Sequence, residues 1–277
     1  MPDEQPRRFV LDHSRGRLEA SWWGKRAHDA PTLVLLHEGL GCVALWRDLP
    51  VRLAAATGCG VLAYSRFGYG ESDPVSLPRP LAYMHEEALE VLPKVLDAVG
   101  VERCVLIGHS DGASIATIYA GSSQDRRVLG MVLIAPHFFV ERTGLEAVVE
   151  ARRQYTGGDL RSRLSRYHRH VDVAFRGWCD SWLDPAFGAF NLAREVRGIR
   201  APTLIMQGLQ DPYGTIEQVR MAERDASAYV QALLLPDARH APHVEAPEAT
   251  FSAMVAFVER LIGCQEGLRK PHGSYRV

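Results

Sequence analysis

The sequence predicts an α/β fold: a mostly parallel, doubly wound sheet with an inserted helical cap. Short runs of apolar and β-branched residues, typical of strands buried on both faces, alternate with segments of helical periodicity. The alternation stops over one long stretch that has helical patterning and no clear strand, and then resumes. We therefore expect a core formed by residues 1–137 and 199–277, and a helical cap formed by residues 138–198.

Length and composition narrow the class of protein. The 277 residues, 47% of them hydrophobic, suffice for one large core with an insertion, and the net charge of -1 favours neither nucleic acid nor a membrane surface as partner. No apolar run approaches the roughly 18 residues of a membrane span. Five cysteines without a CxxC spacing favour free thiols, and the start resembles no signal peptide, so we expect a cytoplasmic protein. A homodimer is compatible with these properties.

The first part of the chain is expected to contain a hairpin, two buried strands and two helices. A long amphipathic helix ends at Gly100, a residue suited to the end of a helix. In chain order, the predicted elements are strands 8–12 and 17–23, strand 32–36, helix 46–57, strand 60–64 and helix 81–99.

A sharp turn follows the next strand. Strand 104–107 leads into Gly-His-Ser-Asp-Gly at 108–112, and a helix of small residues covers 113–120. A Gly-x-Ser-x-Gly turn between a strand and a helix is typical of the nucleophile elbow of serine hydrolases. A Cβ at Gly108 or Gly112 would collide with the neighbouring strand or helix. Ser110 is therefore the predicted nucleophile, and the alternative is an ordinary turn serine.

Two further residues have the chemistry that a serine nucleophile requires. A serine hydroxyl needs a base, and the base needs a carboxylate that orients it. Later elements are predicted as strand 128–135, strand 203–207, helix 215–224, strand 230–235 and helix 247–262. Asp211 and His240 follow the strands that end at 207 and 235, and active sites of such sheets lie at the carboxyl ends of strands. The sequence thus predicts a Ser110–His240–Asp211 triad.

Other residues could take the same roles. His243 lies three residues after His240 and is the alternative base, while Asp237 is the alternative carboxylate. We expect His109 to pack beneath the turn and His37 to hold its own loop.

The motifs together resemble those of the α/β-hydrolase superfamily over residues 8–262, in the branch of small capped serine esterases and carbon–carbon hydrolases. They are HEGLG at 37–41, SRFGYGES at 65–72, GHSDG at 108–112, QGLQD at 207–211 and RHAPH at 239–243. Family members usually have glycine where Glu38 and Arg239 stand here. The resemblance implies an oxyanion hole made of the backbone N–H groups of Gly39 and Asp111, with Leu40 as the alternative to Gly39.

The expected function is hydrolysis of a small-molecule ester, thioester or related acyl bond through an acyl-enzyme, as in carboxylesterases of class EC 3.1. The alternatives are cleavage of a carbon–carbon bond in a ring-cleavage product, and a ligand receptor built on a hydrolase fold. No HExxH or CxxC spacing predicts a metal site, and no phosphate-binding loop predicts a nucleotide. We expect no cofactor, no nucleic acid and no membrane partner.

Two features of the sequence concern the substrate pocket. Trp178 and Trp182, four residues apart, are expected to line it together with Leu40. Arginines at 152–169 are either a solvated surface or a device that attracts an anionic substrate. The carboxylates of Glu38 and Asp111 would oppose a negative charge in the oxyanion hole unless they are protonated or paired. We expect either a cationic partner, for which Arg66 is the candidate, or hydrogen bonds that turn them away. The alternative is that both face solvent or cap the helix.

Overall fold

One eight-stranded sheet forms the centre of the protein, and the computed structural model describes residues 5–123 and 125–269. The strands are β1 (Arg7–His13), β2 (Gly16–Trp23), β3 (Thr32–Leu36), β4 (Gly60–Tyr64), β5 (Cys104–His109), β6 (Val128–Ile134), β7 (Thr203–Gly208) and β8 (Val230–Leu235). They lie in the order β1-β2-β4-β3-β5-β6-β7-β8. Strand β2 pairs antiparallel with β1 and β4, and all other neighbours pair in parallel. The predicted mostly parallel sheet is confirmed.

The central strands are buried on both faces because their apolar residues are continuous rather than alternating. In β5, Val105 and Ile107 belong to the core on one face of the sheet, together with Leu204 of β7. Leu106, between them, belongs to the core on the other face. Each side chain of β5 is fully or almost fully buried. This explains why the strands could be recognised from short apolar runs.

Helices cover both faces of the sheet. They are α1 (Leu49–Thr57), α2 (Tyr83–Glu86), α3 (Leu92–Ala98), α4 (Asp111–Ser122), α5 (Arg142–Gly157), α6 (Leu160–Leu164), α7 (Val171–Trp182), α8 (Ala193–Gly198), α9 (Ile216–Asp225), α10 (Pro242–Glu245) and α11 (Pro247–Arg269). A π-helical turn at Glu87–Val91 joins α2 to α3, and short 3-10 turns lie at Val43–Trp46 and Pro185–Ala189. Apolar residues of α3, α4 and α9 pack on one face, and those of α1 and α11 pack on the other.

Three predicted helices differ from the observed ones. The helix expected at 46–57 begins at Leu49, because Pro50 suits the first turn, where its missing N–H is not needed. The helix expected at 81–99 contains the π-helical turn at Glu87–Val91. The last helix continues to Arg269 rather than ending at 262.

The segment between β6 and β7 contains α5 to α8. Throughout residues 138–198, all of which the structure describes, the extended pairing is limited to one isolated bridge between Phe139 and Asn191. The division of the chain into a core and a cap stays a prediction, and residues 1–4, 124 and 270–277 of the expected core lie outside the described residues.

Two further findings concern the remaining expectations. Among the described residues, no helix has the length and apolar character required to cross a bilayer. Cys42, Cys59, Cys104 and Cys179 are buried free thiols, while the side chain of Cys264 lies outside the described part.

Candidate active site

Ser110 lies on a strained turn between β5 and α4. Its backbone has φ 54° and ψ -118°, a conformation that residues with a Cβ rarely adopt. A Cβ on Gly108 would clash with the carbonyl of Gly112, and a Cβ on Gly112 would clash with the carbonyl of Leu36. The two glycines thus let the turn pack against its own helix and against β3, and they hold the serine at the carboxyl end of β5.

Ser110, His240 and Asp211 meet at this edge of the sheet. The Oγ of Ser110 lies 3.0 Å from Nε2 of His240, and Nδ1 of His240 lies 2.8 and 2.9 Å from the two carboxylate oxygens of Asp211. Because a carboxylate only accepts, Nδ1 must carry the proton and Nε2 is free to accept from the serine hydroxyl. The structure therefore brings together the three residues that the sequence singled out, with each side chain facing the partner expected for it.

Asp211 is fixed by more than the histidine. Its carboxylate also accepts hydrogen bonds from Nε2 of Gln207, at 2.9 Å, and from the backbone N–H of Tyr213, at 2.8 Å. Burial raises the pKa of Asp211, but the hydrogen bond and charge of His240 outweigh it, so the pKa lies below its ordinary value. The side chain of Asp211 is 1% exposed, and the aspartate is therefore ionised and oriented at neutral pH.

The alternative residues do not contact Ser110. The ring of His243 packs between Trp46 and His109, with centroids at 5.6 and 4.8 Å, and burial lowers its pKa to about 3. Asp237 is exposed, and the carboxylate bound to His240 is that of Asp211. His37 bonds the carbonyl of Glu38 and the N–H of Arg66, and so holds its loop as expected.

The backbone groups expected to form the oxyanion hole are available. Asp111 is the first residue of α4, where N–H groups lack helical partners. Gly39 and Leu40 line the cavity that contains Ser110. Within the described part of the chain, the N–H groups of Gly39, Leu40 and Asp111 donate to no backbone or side-chain acceptor. These N–H groups are therefore not used by other bonds of the described residues.

The carboxylate of Asp111 has the cationic neighbour expected for it. The guanidinium of Arg66, 1% exposed, lies 4.0 Å from Asp111, and it also bonds the carbonyls of His37 and Glu38. The hydroxyl of Tyr83 donates to Asp111 at 2.6 Å. Burial raises the pKa of Asp111 despite these contacts.

Glu38 has a partner that the sequence did not indicate. Its carboxylate lies 3.4 Å from Nδ1 of His109 rather than against a guanidinium. The other ring nitrogen of His109 contacts the carbonyl of His240 at 2.8 Å. Burial opposes the charge on both groups, but their mutual attraction lowers the pKa of Glu38 and raises that of His109. The pair connects the loop after β3 to the loop that holds His240.

A cavity of about 130 Å³ lies over Ser110. Its lining is mainly apolar and aromatic, and in the part of the chain that the structure describes, Glu38 is its one carboxylate. The lining residues are Glu38, Gly39, Leu40, Ser110, His137, Gly144, Val148, Trp178, Trp182, Tyr213 and His240. Leu40, Trp178 and Trp182 are thus among the residues that surround Ser110, and their contact with a substrate stays a prediction. Within the described residues, no group of three or more histidine, cysteine or acidic side chains could hold a metal ion.

Sequence reasoning missed several residues of the site. Gly144 and Val148 come from one face of α5, and His137 and Tyr213 follow β6 and β7. His137 could have been found, because it lies just after the end of a parallel strand, where active-site residues of such sheets concentrate. Gln207 is the last residue but one of β7, and nothing in its sequence context indicates that it would contact Asp211.

The arginines at 152–169 do not line the cavity. Arg161 lies 2.7 Å from Asp172, Arg163 lies 3.4 Å from Asp159, and all four side chains are more than half exposed. This arrangement favours the interpretation of a solvated surface.

Comparisons with known proteins agree with the fold. A model described as "Alpha/beta hydrolase family" matches residues 33–253. Carboxylesterase YbfK of Bacillus subtilis (strain 168) is 26% identical over 251 residues, which are 83% of this chain and 81% of that protein. RutD of Stutzerimonas stutzeri (strain A1501), a candidate carbamate hydrolase, is 37% identical over 92 residues, so the match spans about a third of each chain. The structure of an esterase from Exiguobacterium antarcticum covers 90% of this chain and 98% of its own, with TM-score 0.73 and 17% identity, which shows a shared fold.

Proposed function

The chain belongs to the alpha/beta hydrolase family, and from that premise we propose that it is a serine hydrolase that cleaves an ester, thioester or related acyl bond of a small molecule. The observation that carries the proposal is the continuous contact from the carboxylate of Asp211 through His240 to Oγ of Ser110, inside a cavity large enough for a small acyl group. The chain's similarity to a carboxylesterase of Bacillus subtilis also supports the hydrolysis of an ester.

The proposed reaction begins with attack by Ser110 on the substrate carbonyl. As the Oγ–carbon bond forms, the hydroxyl proton moves to Nε2 of His240, and Asp211 stabilises the resulting imidazolium. The tetrahedral intermediate collapses with loss of the alkoxide or thiolate, which takes the proton from His240. Water then attacks the acyl-enzyme by the same route, and the carboxylic acid leaves. Gln207 is proposed to hold Asp211 in position through its hydrogen bond.

The N–H groups of Gly39 and Asp111 are proposed to hold the oxyanion, with Leu40 as the alternative to Gly39. Donors placed in advance around a developing negative charge stabilise the transition state more than the ground state. Two contacts support this role. Arg66 binds the backbone next to Gly39 and lies beside Asp111, so its positive charge faces the region where negative charge would develop.

Residues 138–198 are proposed to act as a cap over the nucleophile. Helix α7 supplies Trp178 and Trp182, and α5 supplies Gly144 and Val148, so four of the eleven lining residues come from this segment. A mainly apolar lining favours an uncharged acyl group over an anionic one, because a carboxylate would lose its hydration without gaining a cation.

Turnover of p-nitrophenyl acetate and butyrate tests the proposal. We expect hydrolysis by the unmodified protein, loss of about 10⁴-fold in kcat in Ser110→Ala, and full activity in Ser162→Ala, which changes an exposed serine. Cleavage of a ring-cleavage diketone but of no ester would replace acyl transfer by carbon–carbon hydrolysis. Ligand binding without any turnover would instead favour a receptor.

A further inference from the structure

His137 follows the end of β6, next to the strand that carries Ser110. Its side chain is 3% exposed and lines the cavity beside Ser110 and His240. The proposed reaction gives it no role.

Packing fixes the orientation of the His137 ring. The ring meets Trp182 edge to face, with centroids 5.2 Å apart, and lies 5.5 Å from the ring of His240. A Cβ on Gly214 would come within 3.3–3.4 Å of the ring, so glycine at that position makes room for it. The hydroxyl of Ser114 donates to the backbone carbonyl of His137 at 2.6 Å. Packing and this backbone hydrogen bond therefore hold the imidazole in place.

Within residues 5–123 and 125–269, no side chain or backbone group forms a hydrogen bond with the two ring nitrogens of His137. The side chain of His137 lines the cavity, and neither nitrogen is among the fully enclosed polar atoms that lack a partner. Buried polar groups in folded proteins nearly always have a hydrogen-bond partner. A partner for His137 can therefore come from whatever occupies the cavity.

The state of the ring limits the chemistry of that occupant. Burial, with a smaller effect from the nearby His240, lowers the pKa of His137 to about 3, so the imidazole is uncharged at neutral pH. A neutral imidazole offers one donor and one acceptor, which suit a hydroxyl or a carbonyl oxygen. It offers no charge to a carboxylate, and the carboxylate of Glu38, which also lines the cavity, is paired with His109.

We propose that His137 is a substrate-recognition residue, which binds a hydroxyl or keto oxygen of a small uncharged ester close to the carbonyl that Ser110 attacks. The inference rests on the proposed function and adds the substrate class. The oxygen belongs close to the reacting carbonyl because His137 and Ser110 line the same cavity and both neighbour His240, whose ring lies 5.5 Å from that of His137 and whose Nε2 lies 3.0 Å from Oγ of Ser110. It can be carried by the acyl group or by the alcohol, and the experiment separates the two.

The test compares kcat/KM within matched pairs of esters. Ethyl 3-hydroxybutyrate and ethyl butyrate differ by an oxygen on the acyl group, and 2-hydroxyethyl butyrate and propyl butyrate differ on the alcohol. We expect the unmodified protein to prefer the oxygenated ester in one pair by about tenfold or more. His137→Phe and His137→Leu both remove the nitrogens, and the ratio should fall to about one. His137→Gln should restore part of the preference, and His28→Phe, at an exposed histidine, should keep the original ratio.

Each result either supports or overturns the role of His137 in substrate recognition. A ratio near one in both pairs for the unmodified protein would overturn the inference, as would an unchanged ratio in either His137→Phe or His137→Leu. Ethyl butyrate hydrolysis that depends on Ser110 shows that the proposed function stands even when the inference fails. If no ester is hydrolysed in a Ser110-dependent way, both the proposed function and the inference are wrong.

Discussion

His240 and His243 are close in sequence but differ in their surroundings. His240 bonds a carboxylate on one side and Ser110 on the other, whereas His243 packs between Trp46 and His109. We predict that His240→Ala lowers kcat by about 10⁴-fold, because triad members act as a unit. His243→Ala should keep kcat within about tenfold of the original value. Steady-state kinetics of the two variants, with thermal unfolding to confirm folding, measure this; a reversed order would make His243 the base.

A second prediction at this scale concerns the ion pair of Glu38 and His109. The pKa of Glu38 lies below its ordinary 4.5, so its contribution to stability is present above pH 4.5 and is lost as pH falls through the lowered pKa. The pKa of His109 lies above its ordinary 6.5, so its contribution is present below pH 6.5 and is lost as pH rises through the raised pKa. The pair therefore stabilises the fold most between about pH 4.5 and 6.5.

Glu38→Gln should accordingly destabilise the protein more at pH 5.5 than at pH 9. The expected difference is about 1 kcal/mol, or roughly 2–4 °C in Tm. The rings of His240 and His243, at 5.2 and 4.8 Å, also face His109 and are present in both proteins. Thermal unfolding of both proteins at the two pH values measures the effect. An equal loss at both values would show that the ion pair contributes nothing.

Residues of the site differ in how well the sequence predicts them. Ser110 could be identified because its turn needs glycines, and Asp211 and His240 because each follows a recognisable strand. The partner of Glu38 could not be identified from the sequence, because His109 and Glu38 lie 71 positions apart and meet only when β3 and β5 pair. His137 also follows a recognisable strand, but a single histidine without a spaced partner has no role that the sequence assigns.

At the scale of elements, the loop after β3 and helix α7 depend on each other. A Cβ on Gly39 would clash with the indole ring of Trp178. We predict that Gly39→Ala lowers kcat/KM by about 10²-fold, because the loop or the indole must shift and the N–H proposed for the oxyanion moves with it. Gly157→Ala, at the end of α5 with open space around it, is the matched control and should behave as the original protein. Equal kinetics for Gly39→Ala would remove this N–H from the oxyanion hole.

Local sequence patterns do not predict the exact boundaries and the regularity of the helices. Helical periodicity predicts one helix over 81–99, but the chain forms a π-helical turn at Glu87–Val91. In it, Glu87 is buried and lies 3.1 Å from the guanidinium of Arg79. That contact depends on the path of the preceding loop, and so it leaves no trace in the spacing of apolar residues.

At the scale of the whole molecule, the charge distribution predicts how salt affects the hydrolysis of anionic and uncharged substrates. The net charge is -1, and no arginine of the 152–169 run lines the cavity. Attraction of an anionic ester by this surface would weaken steeply with salt. We instead predict that kcat/KM for monoethyl succinate and for ethyl butyrate changes by the same factor between 0.05 and 0.5 M salt, to within about twofold. If kcat/KM for the anionic ester fell much more steeply with salt than kcat/KM for the uncharged ester, the arginines would attract anionic substrates after all.

The alternation of strands and helices was sufficient to predict a parallel sheet, because parallel strands need crossover connections. The alternation does not predict the order of the strands, because that order depends on long-range pairings such as that of β3 between β4 and β5. The same pairings carry Ser110, Asp211 and His240 to one edge of the sheet. The contact between these three side chains therefore depends on the pairing of the whole sheet.

Covalent labelling with a fluorophosphonate probe tests most directly whether Ser110 is an activated nucleophile. The account predicts one label per chain, on Ser110 by peptide mass spectrometry. Labelling should be lost in Ser110→Ala and greatly slowed in His240→Ala, where the base is missing. Undiminished labelling of Ser110→Ala, or equal rates with and without His240, would contradict the account.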